Sequence, residues 1–355
     1  MKTKTKVLSL VAASALLTTS AFSQITVSGY MESSLMVQER KGTQLLSSTA
    51  GFEGLAAGKQ IANEGLIVVS GKGKMSNGQD ASFFQEFESK TANNIVARGF
   101  DIGIMPGVNF QYGYDRVFGS EIARTVTPFA GKRQGDVTGS LATVELRDST
   151  SGEHAIGGTL TNLVGPNSAF SVSFAPNRDA PTTSNSDNPT VTTTNSANSY
   201  GIGYRATVVP GLTVAAGLTK GDHKVNAAQD LDSKALGFSY AQAPFAIGMQ
   251  RIKTEGQTTA VALTAEDKMD LISGTFAATK ELTLGAAYST LERTRGSVAS
   301  PVDAKLTTLT IAYNLGPVVI NLDHERAANS ALASTSNNVS GNDSTMNKIL
   351  ARVAF

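Results

Sequence analysis

Apolar and polar residues alternate in steps of two along most of this chain. Ile25, Val27, Gly29, Met31, Leu35 and Val37 share one parity, and Thr26, Ser28, Tyr30, Glu32, Ser34 and Gln38 the other. That is the repeat of a strand with one apolar face and one wet face. The run lasts about a dozen residues, longer than a globular strand and close to what a tilted strand needs to cross a bilayer. Similar runs follow at Val108 to Tyr114, Phe170 to Phe174, Tyr200 to Val208, Leu212 to Leu218 and Leu236 to Tyr240. Others lie at Phe245 to Met249, Leu282 to Tyr288, Thr307 to Tyr313 and Val318 to Leu322. An amphipathic helix would repeat at three and four, and no stretch beyond residue 23 does so.

The connections between runs are of two kinds that take turns. Short ones carry Pro, Gly or Asn: Ser76-Asn77-Gly78, Met105-Pro106-Gly107, Gly165-Pro166-Asn167, Val209-Pro210-Gly211, Ala243-Pro244, Ala278 to Glu281 and Leu315-Gly316-Pro317. These read as hairpin turns, and proline, which donates no ladder hydrogen bond, is placed there at no cost to a sheet. Long polar connections span Arg40 to Gln60, Val117 to Glu153, Ala175 to Asn198, Lys220 to Asp232, Thr254 to Glu266, Glu292 to Asp303 and Ala327 to Ser344. Short turns at one end and long loops at the other are the asymmetry of a transmembrane antiparallel β-barrel, with short turns in the periplasm and long loops outside. The segments number sixteen, within a range of fourteen to eighteen, centred near residues 31, 67, 85, 100, 111, 158, 171, 204, 215, 237, 249, 273, 286, 310, 321 and 350. A barrel of sixteen to eighteen strands encloses an aqueous channel.

Composition sharpens this all-β reading. Charged residues make up 17% of the 355, there are 34 glycines, and cysteine and tryptophan are absent. A face turned to lipid accounts for the low charge. The lack of cysteine removes disulfides and cysteine metal sites, and no apolar run reaches the length of a membrane-spanning helix. Lys2, Lys4 and Lys6, the apolar stretch Val7 to Leu17 and the small residues Ala21 and Ser23 form a secretory signal peptide over residues 1–23, cleaved before Gln24. Loss of its three lysines takes 30 basic residues to 27 against 29 acidic ones, a mature charge of −2. Residues 24–355 then form a single barrel domain, and neither charge nor motif points to nucleic acid.

These features resemble the Gram-negative general porin family. The opening strand Ile25-Thr26-Val27-Ser28-Gly29-Tyr30, the turn and loop rhythm, the longest loop directly after the fifth strand and the terminal Phe355 carry the likeness. The resemblance implies an outer-membrane location, contact with outer-membrane lipids, a homotrimer and a third loop, residues 117–153, folded inward to narrow the pore. It also implies that Phe355 is the signal read by the outer-membrane assembly machinery. Two departures stand out: the connection near Lys90 to Asn94 is short for an inter-subunit latch, and the aromatic girdles must form without tryptophan.

Little chemistry beyond a pore is written in the chain. His154, His223 and His324 have no neighbours at metal-ligand spacing, and Gly71-Lys72-Gly73 with Gly78 lacks the strand-to-helix context of a phosphate loop. No Gly-x-Ser-x-Gly elbow is present, so the reading is a non-enzyme that needs no cofactor. Strand parity sends Glu32, Asp115, Arg205, Asp323, Glu325, Lys348 and Arg352 to the lumen, with Glu86 and Glu88 as weaker additions. The third loop brings Glu121, Arg124, Lys132, Arg133 and Asp136 as constriction candidates. Basic residues on one wall facing acids on the other would select hydrated ions by sign. The expected function is passive diffusion of ions and small hydrophilic solutes; the alternatives are a solute-selective channel, a non-conducting adhesion barrel or a secreted soluble β-protein. The sign of the preferred ion is left open.

Overall fold

In the computed structural model each of the sixteen expected centres lies in a strand. Described are residues 24–41, 58–88, 94–114, 119–123, 127, 154–163, 165–178, 197–223, 231–257, 264–295, 298–299, 304–328 and 343–355. The first strands are β1 (Gln24–Lys41), β2 (Gly58–Lys74), β3 (Asp80–Glu88), β4 (Asn94–Met105) and β5 (Val108–Tyr114). A short 3-10 turn, η1 (Gly119–Ala123), precedes β6 (His154–Thr161), β7 (Ser168–Arg178), β8 (Ala197–Val209) and β9 (Leu212–His223). Then come β10 (Leu231–Gln242), β11 (Phe245–Gln257), β12 (Thr264–Ala277), β13 (Leu282–Arg295) and the two-residue bridge β14 (Val298–Ala299). The chain ends with β15 (Ala304–Leu315), β16 (Val318–Ala328) and β17 (Asp343–Ala354). Every pairing is antiparallel between neighbours, and β17 pairs with β1 to close the cylinder. Closure leaves no edge in the hydrocarbon, where unpaired backbone groups are prohibitive.

Parity sorts the two faces. Leu236, Phe238 and Tyr240 on β10, Phe245, Ile247 and Met249 on β11, and Leu309, Ile311 and Tyr313 on β15 are exposed on the outside. Ser171 and Ser173, Ser233, Gln250, Ser273, Ser289, Thr308 and Thr310 occupy the buried inner positions. Aromatic rings gather on the outside near the short turns without any tryptophan, and those of Phe245 and Phe276 stack at 4.9 Å. Backbone in the left-handed region at Gly107 and Gly211 (φ 79° and 84°) makes those turns tight, a conformation glycine alone adopts freely. At the seam, the amide of Gly29 donates to the carbonyl of Phe355 at 3.0 Å and Phe355 N–H donates back at 3.1 Å. A Cβ on residue 29 would collide with the Leu66 carbonyl of β2 and would stand 3.0 Å from the Phe355 ring.

Several strands run past the loop boundaries that polarity marks. β7 continues to Arg178, β9 to His223, β11 to Gln257 and β13 to Arg295. Backbone ladder bonds do not need an apolar face, so pairing persists after the hydrophobic alternation has ended. The expected loop bounds, drawn where alternation stops, are therefore too wide at these ends. Inside the upper part of β10–β13 sits an apolar cluster of Ala235, Ile252, Met269, Leu271, Ala287 and Leu291.

Candidate functional site

The described part of the third loop lies inside the barrel. The Gly119 amide donates to Ser171 Oγ at 2.7 Å, and Gln250 Nε2 donates to the Ala123 carbonyl at 2.9 Å, both buried. Ala123 packs on Ala215 of β9. A Cβ on Gly203 would collide with the Gly119 carbonyl and with Ile122, so the missing side chain on β8 is what lets η1 approach the wall. The turn is thus seated against β7–β11 at both its ends.

Its seat is tied to the other side of the sheet. Ser171 Oγ lies 3.0 Å from Thr159 Oγ1, which donates to Gln111 Oε1 at 2.5 Å. Gln111 Nε2 donates to Asp101 Oδ1 at 3.0 Å, and Ser82 Oγ to Asp101 Oδ2 at 3.3 Å. A continuous chain of side-chain hydrogen bonds therefore crosses from β3 to β7 and ends on the η1 amide. The Asp101 carboxylate accepts from both sides, from Ser82 and from Gln111, and hydrogen bonds to an ionised acceptor are the stronger kind. Sequence reading did not select Asp101, Gln111, Thr159 or Ser171. Their inner parity was visible, but register alone decides which of many inner polar residues meet.

Five of the expected inward charges, Glu32, Asp323, Glu325, Lys348 and Arg352, lie on the strands where the barrel closes. Glu32 of β1 is cross-strand partner of Arg352 of β17, and Asp323 of β16 is partner of Lys348. Lys348 Nζ stands 3.6 Å from Asp323 Oδ2, both side chains 3% exposed. Glu32 and Glu325 are buried as well, and the Arg352 guanidinium lies 3.6 Å above the Tyr30 ring. Acids and bases on these strands thus interleave on one wall and do not face each other across the lumen. The reason is topological, since closure places the last strands beside the first.

Arg205 stands apart from that group. It takes the inner parity of β8 between Ala169 of β7 and Ala215 of β9, and it is exposed. Two residues away on the same face is Gly203, beneath η1. Glu86 also takes the inner parity of β3, opposite Val68, and Glu88 lies two positions further on. Glu121 belongs to η1, and Asp115, Arg124, Lys132, Arg133 and Asp136 lie outside the described residues, as does the expected signal peptide. Among the described residues no cluster of three or more His, Cys, Asp or Glu side chains could hold a metal ion.

A closed sixteen-strand barrel with an inward third-loop turn has known counterparts. The model of the family described as Gram-negative porin matches residues 9–332. The chain belongs to the Gram-negative porin family. No curated protein sequence matches it, whereas the porin fold is matched closely by solved structures. An anion-selective porin from Comamonas acidovorans is 13% identical, with a TM-score of 0.66 over 94% of this porin and 99% of the other chain. OmpT of Vibrio cholerae, an outer membrane protein solved in a trimer form, is 12% identical with a TM-score of 0.63 over 94% and 99%. OmpF of Salmonella typhi in complex with daunomycin is 12% identical with a TM-score of 0.63 over 92% and 97%. Membership settles the place and class of action of this porin: an outer-membrane protein for passive diffusion.

Proposed function

We propose that the pore of this porin is narrowed at η1, and that Arg205 with the charges of residues 115–153 sets which ions and small hydrophilic solutes pass. The observation that carries this is the seating of Gly119–Ala123 against the inner wall beside Gly203. Arg205, two residues from Gly203 on the same face of β8, is then a strand-borne cation beside the narrowing. A fixed charge at a narrow section governs selectivity more than the charge of the whole barrel. No chemical step is involved: solutes move down their gradients, and the chain needs no cofactor. Residues 1–23 serve as a signal peptide, Phe355 as the mark read by the assembly machinery, and the working form is a homotrimer, by likeness to relatives of the same fold.

Purified barrels in planar bilayers should give stepwise conductance. In a salt gradient, Arg205→Ala and Arg133→Ala should each shift the reversal potential toward cations. Unchanged potentials in both would remove these residues from the constriction. N-terminal sequencing of the exported protein should begin at Gln24.

A further inference from the structure

Along three neighbouring strands the polarity of the two faces changes over at one point. On β11 the outward residues are Phe245, Ile247 and Met249, and the next outward position is Arg251, followed by Lys253 and Glu255. On β12 outward Phe276 and Ile272 give way to Asp270, Lys268 and Glu266, and on β10 outward Leu236 gives way to Lys234 and Asp232. The inner positions change in the opposite sense: Ser273 is followed by Leu271 and Met269, and Gln250 by Ile252, which is 2% exposed. Below this level the wall is apolar outside and polar inside, as lipid requires. Above it the wall is charged outside, and inside it carries the apolar cluster of Ala235, Ile252, Leu271 and Met269, topped by the buried hydroxyl pair of Ser233 and Thr254, like a sheet with one solvated face.

The outward charges are joined to one another. Arg251 grips Asp270 with two hydrogen bonds, of 2.6 and 2.8 Å. Lys253 pairs with Glu255 and, at 3.1 Å, with Glu266, which Lys268 meets at 2.6 Å. These groups stay partly open outward, the Arg251 side chain being 74% exposed. A row of ion pairs that alternates in sign is unsuited to hydrocarbon and matches a layer that itself carries phosphates and counter-cations.

The height of the change is the second observation. From Phe245 to Met249 a strand tilted near 40° climbs only about 10 Å, against an apolar band of about 25 Å in barrels of this kind. On β1, across the barrel, outward apolar residues recur from Ile25 to Val37, where the same reckoning gives about 31 Å.

We propose that the outward face of β10–β12 above Leu236, Met249 and Ile272 docks the polar headgroup layer of the outer leaflet, so that hydrocarbon against this wall is thinner than the usual band of about 25 Å. The inference takes the outer-membrane location as given and is independent of which residues form the constriction.

The chain contains neither tryptophan nor cysteine, so single introduced reporters are free of background. Thr290 on β13 is the cross-strand partner of Asp270 and carries no charge, which places a reporter at the row without breaking it. In phosphatidylcholine vesicles, the Met249→Trp probe should be quenched by bromine deep in the acyl chains. The Thr290→Trp probe should be quenched severalfold less by that bromine and severalfold more by aqueous iodide. Thr290→Cys, close to threonine in size, covers the case in which the bulkier probe does not fold. It should react with a membrane-impermeant maleimide while Ile272→Cys does not. Acyl-chain quenching of Thr290→Trp as strong as that of Met249→Trp, or protection of Thr290→Cys, would overturn the proposal. Shielding from both quenchers would do so as well, since it would mean that protein, not headgroups, covers the wall. Wild-type conductance in both Thr290 variants would show that the pore is intact.

Discussion

Single residues in the lumen hold either position or charge, and the two kinds respond differently to replacement. Lys348 and Asp323 are buried together on neighbouring strands. Removing one member of a buried pair leaves a desolvated charge and costs about 3–5 kcal/mol. Lys348→Ala should therefore lower the stability of the refolded barrel by about 3 kcal/mol, read from the urea midpoint at constant slope, with Arg205→Ala as the contrasting near-neutral change. Gly203 holds position by absence. Gly203→Val places a side chain where the Gly119 carbonyl and Ile122 now lie, and overpacking of that sort costs about 1–3 kcal/mol. The expected result is a displaced turn and a larger single-channel conductance. An unchanged conductance would mean that η1 does not narrow the pore.

At the scale of elements, the hydrogen-bond chain from Ser82 to Gly119 makes five strands and one turn a single device. Asp101→Ala removes the acceptor for both Ser82 and Gln111 three strands away from Ser171. It should loosen the seat of η1 and raise open-channel noise, and Ser171→Ala should do so more strongly because it removes the direct contact. An Asp101→Ala channel as quiet as wild type would show that the seat needs no support from β4. These elements also show what the sequence made legible. Strand existence was readable because the step of two survives wherever one face meets lipid. Strand ends such as Arg178 and Arg295 were not, because pairing outlasts alternation. Lys348 and Glu32 were assignable to the inner face by parity, but their neighbours depend on closure, which a linear pattern does not contain. Thr159 and Ser171 were unmarked for the same reason: small inner hydroxyls are common, and register chooses among them.

The described barrel is a cylinder in which the first strand and the last meet. Gly29 and Phe355 exchange two backbone hydrogen bonds, and the Phe355 ring and the Leu66 carbonyl both crowd the glycine. Phe355→Ala should reduce the yield of folded barrel in the outer membrane severalfold while leaving the conductance of the surviving channels unchanged, measured by heat-modifiable mobility and planar bilayers. A change in conductance would point to a role in the pore in place of assembly.

That seam also acts as a check on completeness. A polypeptide cut short anywhere before its last strand presents two open rows of backbone donors and acceptors, which are templates for aggregation. Only a finished chain can satisfy them internally. Length itself therefore becomes a requirement for leaving the assembly step, and a nonsense truncation of even β17 (Asp343–Ala354) would deliver a sticky sheet, unfit for the membrane and open to proteolysis, and not a slightly smaller channel.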